Sequence, residues 1–359
     1  MKTNIENIII VKEETRLEKL TAKYNTIQQA AFHIEKQRSA FFAVSPSMKK
    51  KVASPVSAKN SGADNFKEQS FEEVLDLEAI EKESKKEVES YQTEHDTFQK
   101  SLNSLKKELS NVVKTKVIDK NYISRFIFSP NDLVLVIGRD GLVANTAKYV
   151  HNIPIIGVNP DTSRYDGVLL PYNTENFMDA VDNVLRNHYS SKLVSMAEAK
   201  SNDGQRLLAF NDFFIGASSH ISARYTITFG NISEFHSSSG IIVSTPAGST
   251  GWLSSIINMA NGIQSSFGIK MQNSAVKQQF MSWDEEQLVF IVREPFASKH
   301  SYANLVAGKF SGNEFLQIES QMPENGLIFS DGIESDYITF NSGTIATIGV
   351  AKEKAKLVV

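Results

Sequence analysis

One stretch constrains the fold of this chain more than any other: Asp132-Leu-Val-Leu-Val-Ile-Gly-Arg-Asp-Gly-Leu142. Residues 132–137 read as a strand. Its near-continuous apolar run, without polar alternation, predicts burial on both faces, as in a parallel sheet. Gly138-Arg139-Asp140-Gly141 then turns the chain, and 142–151 reads as a helix. Two glycines around an aspartate put a carboxylate and bare backbone N–H groups at the carboxyl edge of the sheet, where open α/β sheets bind ligands. The same residues also describe an ordinary βα turn whose glycines only permit positive φ. Taken alone, the stretch favours that plainer reading.

The chain around it repeats the alternation. Residues 5–12 hold Ile8-Ile-Ile-Val11, a strand. Residues 15–37 carry Leu17, Leu20, Tyr24, Ile27, Ala31 and Ile34 at helical spacing. Thr15 with Glu18 three residues on fits a capping box. Residues 45–70 are rich in lysine, serine and proline and read as a mobile surface insertion. Residues 71–113 form a long helix with one apolar stripe through Tyr91, Phe98, Leu102, Leu105, Leu109 and Val112. Strands at 116–119 and 154–159 and a helix at 175–189 complete a set of parallel βαβ units. After about residue 191, strands dominate: 193–200, 206–217, 223–229, 240–245, 287–295, 315–319, 327–329 and 337–350. One helix interrupts them, near 251–265. The expected fold class is therefore α/β plus all-β. A Rossmann-like parallel-sheet domain over residues 1–190 precedes a β-rich domain over 191–359. The extreme C-terminus is a candidate to return to the first domain.

Composition narrows the function classes. The 359 residues carry a formal net charge of −3, against a general nucleic-acid binder. There is no cysteine, which removes disulfides and thiolate chemistry. No apolar run reaches the roughly 20 residues of a membrane span, and the N-terminus lacks a signal-peptide pattern. The expectation is a cytoplasmic protein without nucleic-acid or membrane partners. The histidines show no zinc-like spacing, so no protein metal-ligand set is expected.

Two further segments carry chemistry. In Gly240-Ile-Ile-Val-Ser-Thr-Pro-Ala-Gly-Ser-Thr-Gly-Trp252, an apolar strand runs into Ser244, Thr245, Gly248, Ser249, Thr250 and Gly251 before a helix start. Hydroxyls beside a helix N-terminus suit an anion or a sugar hydroxyl, and equally suit a helix cap. Neither a Walker A lysine nor a complete nucleophile elbow is present. In Ala209-Phe-Asn-Asp-Phe-Phe-Ile215, Asn211 and Asp212 interrupt an apolar run and need partners if buried. They suit a ribose or an amide, or the satisfaction of a strand end, which is the favoured reading of that segment alone.

Together these segments resemble the NAD kinase superfamily. Gly138-Arg-Asp-Gly-Leu142 matches the family's Gly-Gly-Asp-Gly-Thr, Asn211-Asp212 its Asn-Glu, Ser244–Trp252 its Ser-Thr-Pro-Thr-Gly-Ser-Thr-Ala-Tyr, and Asp331-Gly332 a late Asp-Gly pair. Pro154-Ile-Ile-Gly-Val-Asn-Pro-Asp161, Asp166-Gly167 and Ser238-Ser-Gly240 are similar to the mitochondrial-type branch and its bacterial relatives. The resemblance implies transfer of a phosphoryl group from ATP, with Mg²⁺, to the adenosine 2′-hydroxyl of NAD. It implies Asp140 as catalytic carboxylate, as base or metal holder. Gly138 and Gly141 would admit phosphates, with Arg139 between them. Asn211 and Asp212 would contact adenosine or ribose. Ser244, Thr245, Gly248, Ser249, Thr250, Gly251, Trp252 and Ser255 would line the nucleotide pocket, and Asp331 would complete it. Ser239 stands where most of the family has an aspartate that contacts the dinucleotide. Arg139 replaces a glycine and Leu142 a threonine. The resemblance further implies a homo-oligomer, dimer or tetramer. Its alternatives are a kinase of the same fold acting on a sugar or other hydroxylated metabolite, and a nucleotide-binding regulator without catalysis.

Overall fold

The computed structural model describes residues 5–44, 77–268 and 281–359. The insertion expected at 45–70 lies outside them. Contacts divide the chain into two compact units: Glu14–Lys100, and Met1–Glu13 together with Ser101–Val359.

In the smaller unit, α1 (Arg16–Tyr24) starts at a Thr15–Glu18 capping box, as its sequence predicts. One helix was expected over 15–37. Instead Asn25 adopts φ +66°, ends α1, and a second helix, α2 (Ile27–Val44), begins. The amino-terminal part of α3 (Leu77–Leu109) belongs to this unit, where Thr15 meets the His95 ring at 2.9 Å. Of the predicted stripe, Phe98, Leu102, Leu105 and Leu109 are buried, while Val112 lies past the helix end and is exposed.

The larger unit holds two sheets. Its parallel part comprises β1 (Asn7–Lys12), β2 (Lys114–Asp119), β3 (Asp132–Ile137) and β4 (Pro154–Asn159), in the order β4-β3-β1-β2. Every residue of β3 and β4 is buried, as an unbroken apolar strand requires. Short β5 (Tyr172–Asn173) pairs with β4. Helices α4 (Asp140–Ala147) and α5 (Phe177–Leu185) follow β3 and β5. The chain leaves β1 towards β2 on one side and leaves β3 towards β4 on the other. The switch point therefore falls between β1 and β3, the place where such sheets open a ligand crevice.

The same sheet continues through antiparallel strands: β6 (Ser191–Ser201), β7 (Arg206–Ala209), β9 (Ala223–Phe229), β10 (Ile232–Ser238), β14 (Leu316–Ser320) and β17 (Ile345–Val358). The second sheet is antiparallel throughout. It holds β8 (Asp212–Ala217), β11 (Ile241–Ser244), β12 (Gln287–Val292), β13 (Ala307–Ser311), β15 (Gly326–Ser330) and β16 (Ile333–Thr339), in the order β13-β12-β11-β8-β15-β16. One core, with Phe213, Tyr225, Phe290 and Phe340, lies among the antiparallel strands; a second, with Val136, Val143, Ile155 and Phe210, lies against the parallel ones. Strand β17 contributes to both, and its last residues pair in parallel with β4 (Leu357 with Ile155). Helix α6 (Trp252–Ser266) follows β11. The architecture is a parallel α/β part joined to a β-rich part.

Two expected strands are broken. Residues 206–217 form β7 and β8 in different sheets, and 337–350 is divided between β16 and β17. The first break has a local cause, given below.

Candidate functional site

The carboxyl ends of the parallel strands deliver charged residues to one place. Glu13 follows β1, and Lys120 follows β2 at the start of a short 3-10 helix, Lys120–Arg125. Arg139 and Asp140 follow β3. The loop after β4 folds back on that strand. Asn159 holds it by donating to the Tyr165 carbonyl at 2.9 Å. Gly157 lets it approach, since a Cβ there would lie 2.0 Å from the Leu169 carbonyl oxygen. Leu169 N–H then donates to Asp140 Oδ1 at 2.7 Å and fixes that carboxylate in the first turn of α4. All these residues except Leu169 and the two β4 residues line a cavity of about 550 Å³, together with Gly141, Leu142, Asn145, Arg164, Tyr165, Asp166, Asp331 and Ile333. That volume lies within the roughly 300–1,000 Å³ of small-molecule sites.

Arg139 spans the switch point. Its guanidinium donates to Glu13 through Nε at 2.9 Å and through a terminal nitrogen at 3.1 Å, a two-pronged pair that Lys120 joins at 3.4 Å. Burial works to raise the Glu13 carboxyl, but Arg139 and Lys120 outweigh it and hold the group below the usual carboxylate range.

Asp331 is built differently. It sits just past β15 at φ +54°, with its side chain almost wholly buried. Its carboxylate accepts the N–H groups of Phe210 (3.1 Å), Asn211 (2.6 Å) and Asp212 (3.4 Å). This capture turns the backbone out of the ladder between β7 and β8 and breaks the strand. Buried Lys148, at the end of α4, lies 3.6 Å from Asp331 and donates to Ser330 Oγ at 2.8 Å. Burial raises the Asp331 carboxyl against the pull of Lys148 and the three N–H groups. Burial, and then the charge of Asp331, push Asp212 up to about 7. Next to Lys148, Tyr149 gives its hydroxyl to Asp336.

The Ser/Thr segment docks onto the same turn. Thr245 N–H donates to the Asn211 carbonyl at 2.9 Å; Thr245 Oγ1 donates to the Phe210 carbonyl at 2.5 Å and accepts from Gly248 N–H at 3.2 Å. A Cβ on Gly248 would lie 2.0 Å from the Asn211 carbonyl oxygen, so only glycine fits. Ser244 and Ser249 also spend their hydroxyls on backbone carbonyls. The segment does not cap α6, which begins after Gly251 with no side-chain cap bond; its one capping bond, from Gly248 N–H to Thr245 Oγ1, serves the short 3-10 turn Ala247–Thr250. Thr250, Gly251 and Ser255 are exposed. The half-buried Trp252 stacks on Phe214 with ring centres 6.0 Å apart, and the Arg293 guanidinium lies 5.5 Å from its ring centre. Ser239 N–H donates to the Arg293 carbonyl.

Of the residues predicted from sequence, Arg139, Asp140, Gly141 and Asp331 share the cavity. Gly138 adjoins them. Asn211 and Asp212 are tied to it through Asp331, and Thr245 and Gly248 through Asn211. Trp252 and Ser239 do not line it. Sequence reasoning passed over Glu13, Lys120, Asn145 and Lys148. The first two had a signal, since each is the first charged residue past a parallel strand.

Three NAD kinases resemble this chain in sequence. That of Ruminiclostridium cellulolyticum is 31% identical over 129 residues, covering 34% of this chain and 44% of its own. That of Cytophaga hutchinsonii is 30% identical over 128 residues (34% and 43%), and that of Finegoldia magna 31% over 156 (40% and 55%). The likeness to these NAD kinases lies within 34–40% of this chain. The chain spans about half the length of these relatives. No family model matches it. Among solved structures, an NAD kinase from Archaeoglobus fulgidus in complex with ATP aligns with a TM-score of 0.49 and 15% identity, covering 72% of this chain and 89% of that one. Arg139 is paired with Glu13, which lies past the end of the neighbouring strand β1. Among the described residues no helix is long and apolar enough to cross a membrane, and no three His, Cys, Asp or Glu gather as a metal cluster.

Proposed function

We propose that this chain transfers the γ-phosphoryl group of ATP to the adenosine 2′-hydroxyl of NAD, giving NADP and ADP. The observation that carries the reading is the placement of Asp140. A carboxylate fixed by Leu169 N–H lines a cavity at the carboxyl ends of parallel strands, beside Arg139 and Lys120, in a chain with NAD kinase relatives. Asp140 takes the proton of the 2′-hydroxyl as that oxygen attacks the γ-phosphorus. The bond from phosphorus to the β-bridging oxygen breaks, and ADP leaves with its electron pair. Little covalent help is needed; positioning and charge control do most of the work. Arg139 and Lys120 supply positive charge to the donor phosphates, and Glu13 holds the two cations in place. Gly141 leaves the first turn of α4 open, since a Cβ there would meet nothing within 4 Å.

Mg²⁺ fits the cavity's donor set. It characteristically takes one or two carboxylates and completes its shell with substrate phosphates and water. Asp140 and Asp166 line one cavity, so Asp166 would hold the ion alongside the phosphates. Bound there, it would neutralise charge on the transferring group. Residues 1–190 then supply the phosphate side of the site and residues 191–359 the nucleoside side, where Asn211, Asp212 and Trp252 receive the adenosine. We place this activity in the cytoplasm, in a homo-oligomer.

Purified protein given ATP, Mg²⁺ and NAD is expected to form NADP, read by an NADP-specific dehydrogenase. No NADP, with phosphorylation of a member of a sugar panel instead, overturns the acceptor.

A further inference from the structure

Asn159 ends β4 with its side chain buried, outside the cavity lining. Both ends of its amide are spent on the loop that follows. Oδ1 accepts the Asp161 N–H at 3.0 Å, and Nδ2 donates to the Tyr165 carbonyl at 2.9 Å. Gly167 rests against the same amide: its backbone is left-handed, at φ +68°, and a Cβ there would lie 2.8 Å from Asn159 Nδ2. One side chain thus meets the loop at residues 161, 165 and 167. The loop needs such a guide, because Thr162, Ser163, Asp166 and Val168 are exposed and bring it no core packing.

The last of these points leads to Asp140. A turn from Gly167 to Leu170, closed by Leu170 N–H on the Gly167 carbonyl at 3.0 Å, carries Leu169. Leu169 sets its carbonyl against Gly157 and gives its N–H to Asp140 Oδ1 at 2.7 Å. The direction of that N–H follows from where Gly167 sits. Strands β3 and β4 are neighbours, so the loop ties the end of one to the end of the other.

We infer that Asn159 is a positioning residue for the transfer, acting through this loop on Asp140. The inference rests on the proposed role of Asp140. Asn159 fixes Gly167, Gly167 fixes the Leu169 N–H, and that N–H holds Asp140 in a single orientation. A side chain in the first turn of a helix otherwise swings between rotamers. A displacement of about 1 Å at a reacting group can cost on the order of 10²-fold in rate, so the effect falls on turnover. Asparagine suits the post because the loop asks for one acceptor and one donor. Aspartate has the same shape, but its second oxygen would face the Tyr165 carbonyl and push the loop away.

The test compares Asn159→Asp with the wild type in two ways. Hydrogen exchange at the Leu169 amide, followed by NMR on the full chain, reads the clamp without substrate. Protection in the wild type is expected to fall at least about 10-fold in Asn159→Asp. In steady-state assays, kcat for NADP formation should fall by about 10²-fold while KM for NAD stays roughly unchanged. The fall should vanish in an Asp140→Asn background, because a residue acting through Asp140 then has nothing to act on. Gly167→Ala presses on the same amide from the loop side and should reproduce these effects; it decides the matter where Asn159→Asp fails to fold. A Leu169 amide equally protected in wild type and variant overturns the inference, as does the same fractional loss of kcat with and without Asp140. A wild type that forms no NADP sinks the reaction, and amide exchange alone then decides the clamp: protection lost in Asn159→Asp keeps it, protection retained removes it.

Discussion

Two aspartates reach the same cavity from the ends of two strands, and they are held in opposite ways. Asp140 follows a parallel strand, is fixed by one backbone N–H, and stands at a glycine with open space beside it. Asp331 follows an antiparallel strand, takes three backbone N–H groups, and is closed in by buried Lys148. The first is a carboxylate kept available; the second is consumed by the fold. A cavity-lining acid is therefore not by itself a working acid. What separates the two is how many of their hydrogen bonds the protein has already made.

The comparison can be broken at several points. The largest effect on stability is expected for Asp331→Ala. It leaves Lys148 charged and three N–H groups unpaired, for a loss of about 3–5 kcal/mol in urea unfolding. Adding Lys148→Met should recover part of it; no recovery would show that the pair is not the source.

Gly248→Ala comes next. Its Cβ must push the turn away from the Asn211 carbonyl, which should cost about 1–3 kcal/mol and weaken nucleotide binding. Unchanged stability would mean that the Ser/Thr turn and the Asn211 turn are not locked together.

Asp212 gives a pH signature. Its folded carboxyl, at about 7, lies above the ordinary value near 3.9. The folded state therefore holds the proton longer than the unfolded chain. The associated stability is fully present below about pH 4 and is lost as pH rises through 7. Between those limits wild type should lose on the order of 3–4 kcal/mol relative to Asp212→Asn. Parallel stability–pH curves for the two proteins would contradict the raised carboxyl.

The smallest change is Gly141→Ala. It should stabilise by about 0.5–1 kcal/mol, because alanine suits a helix and the space is free. It should also slow turnover. Gain at Gly141 and loss at Gly248 would restate the open and closed turns in glycine terms; two losses would erase the difference.

The sequence exposes one side of this comparison better than the other. Asp132–Leu142 announces its strand, turn and helix because burial on both faces leaves an unbroken apolar run. The capping box at Thr15 is equally local, and so equally readable. The break at Phe210–Asn211 is not. Asn211 and Asp212 interrupt the apolar run of 206–217, but the partner that breaks the strand there is Asp331, some 120 positions away. The end of α1 at Asn25 was hidden for a different reason. The apolar spacing runs through it, and only a left-handed backbone shows the stop. Lys148 was passed over because a lysine on a helix is ordinarily solvated; its burial comes from strand β15, which joins the site from far along the chain.

The central claim is that Asp140 works while Asp331 only holds. Asp140→Asn, assayed for NADP formation and melted beside the wild type, tests it most directly. The account predicts a fall in turnover of about 10²–10⁴-fold with an essentially unchanged melting temperature. Turnover near the wild-type level in Asp140→Asn would contradict it.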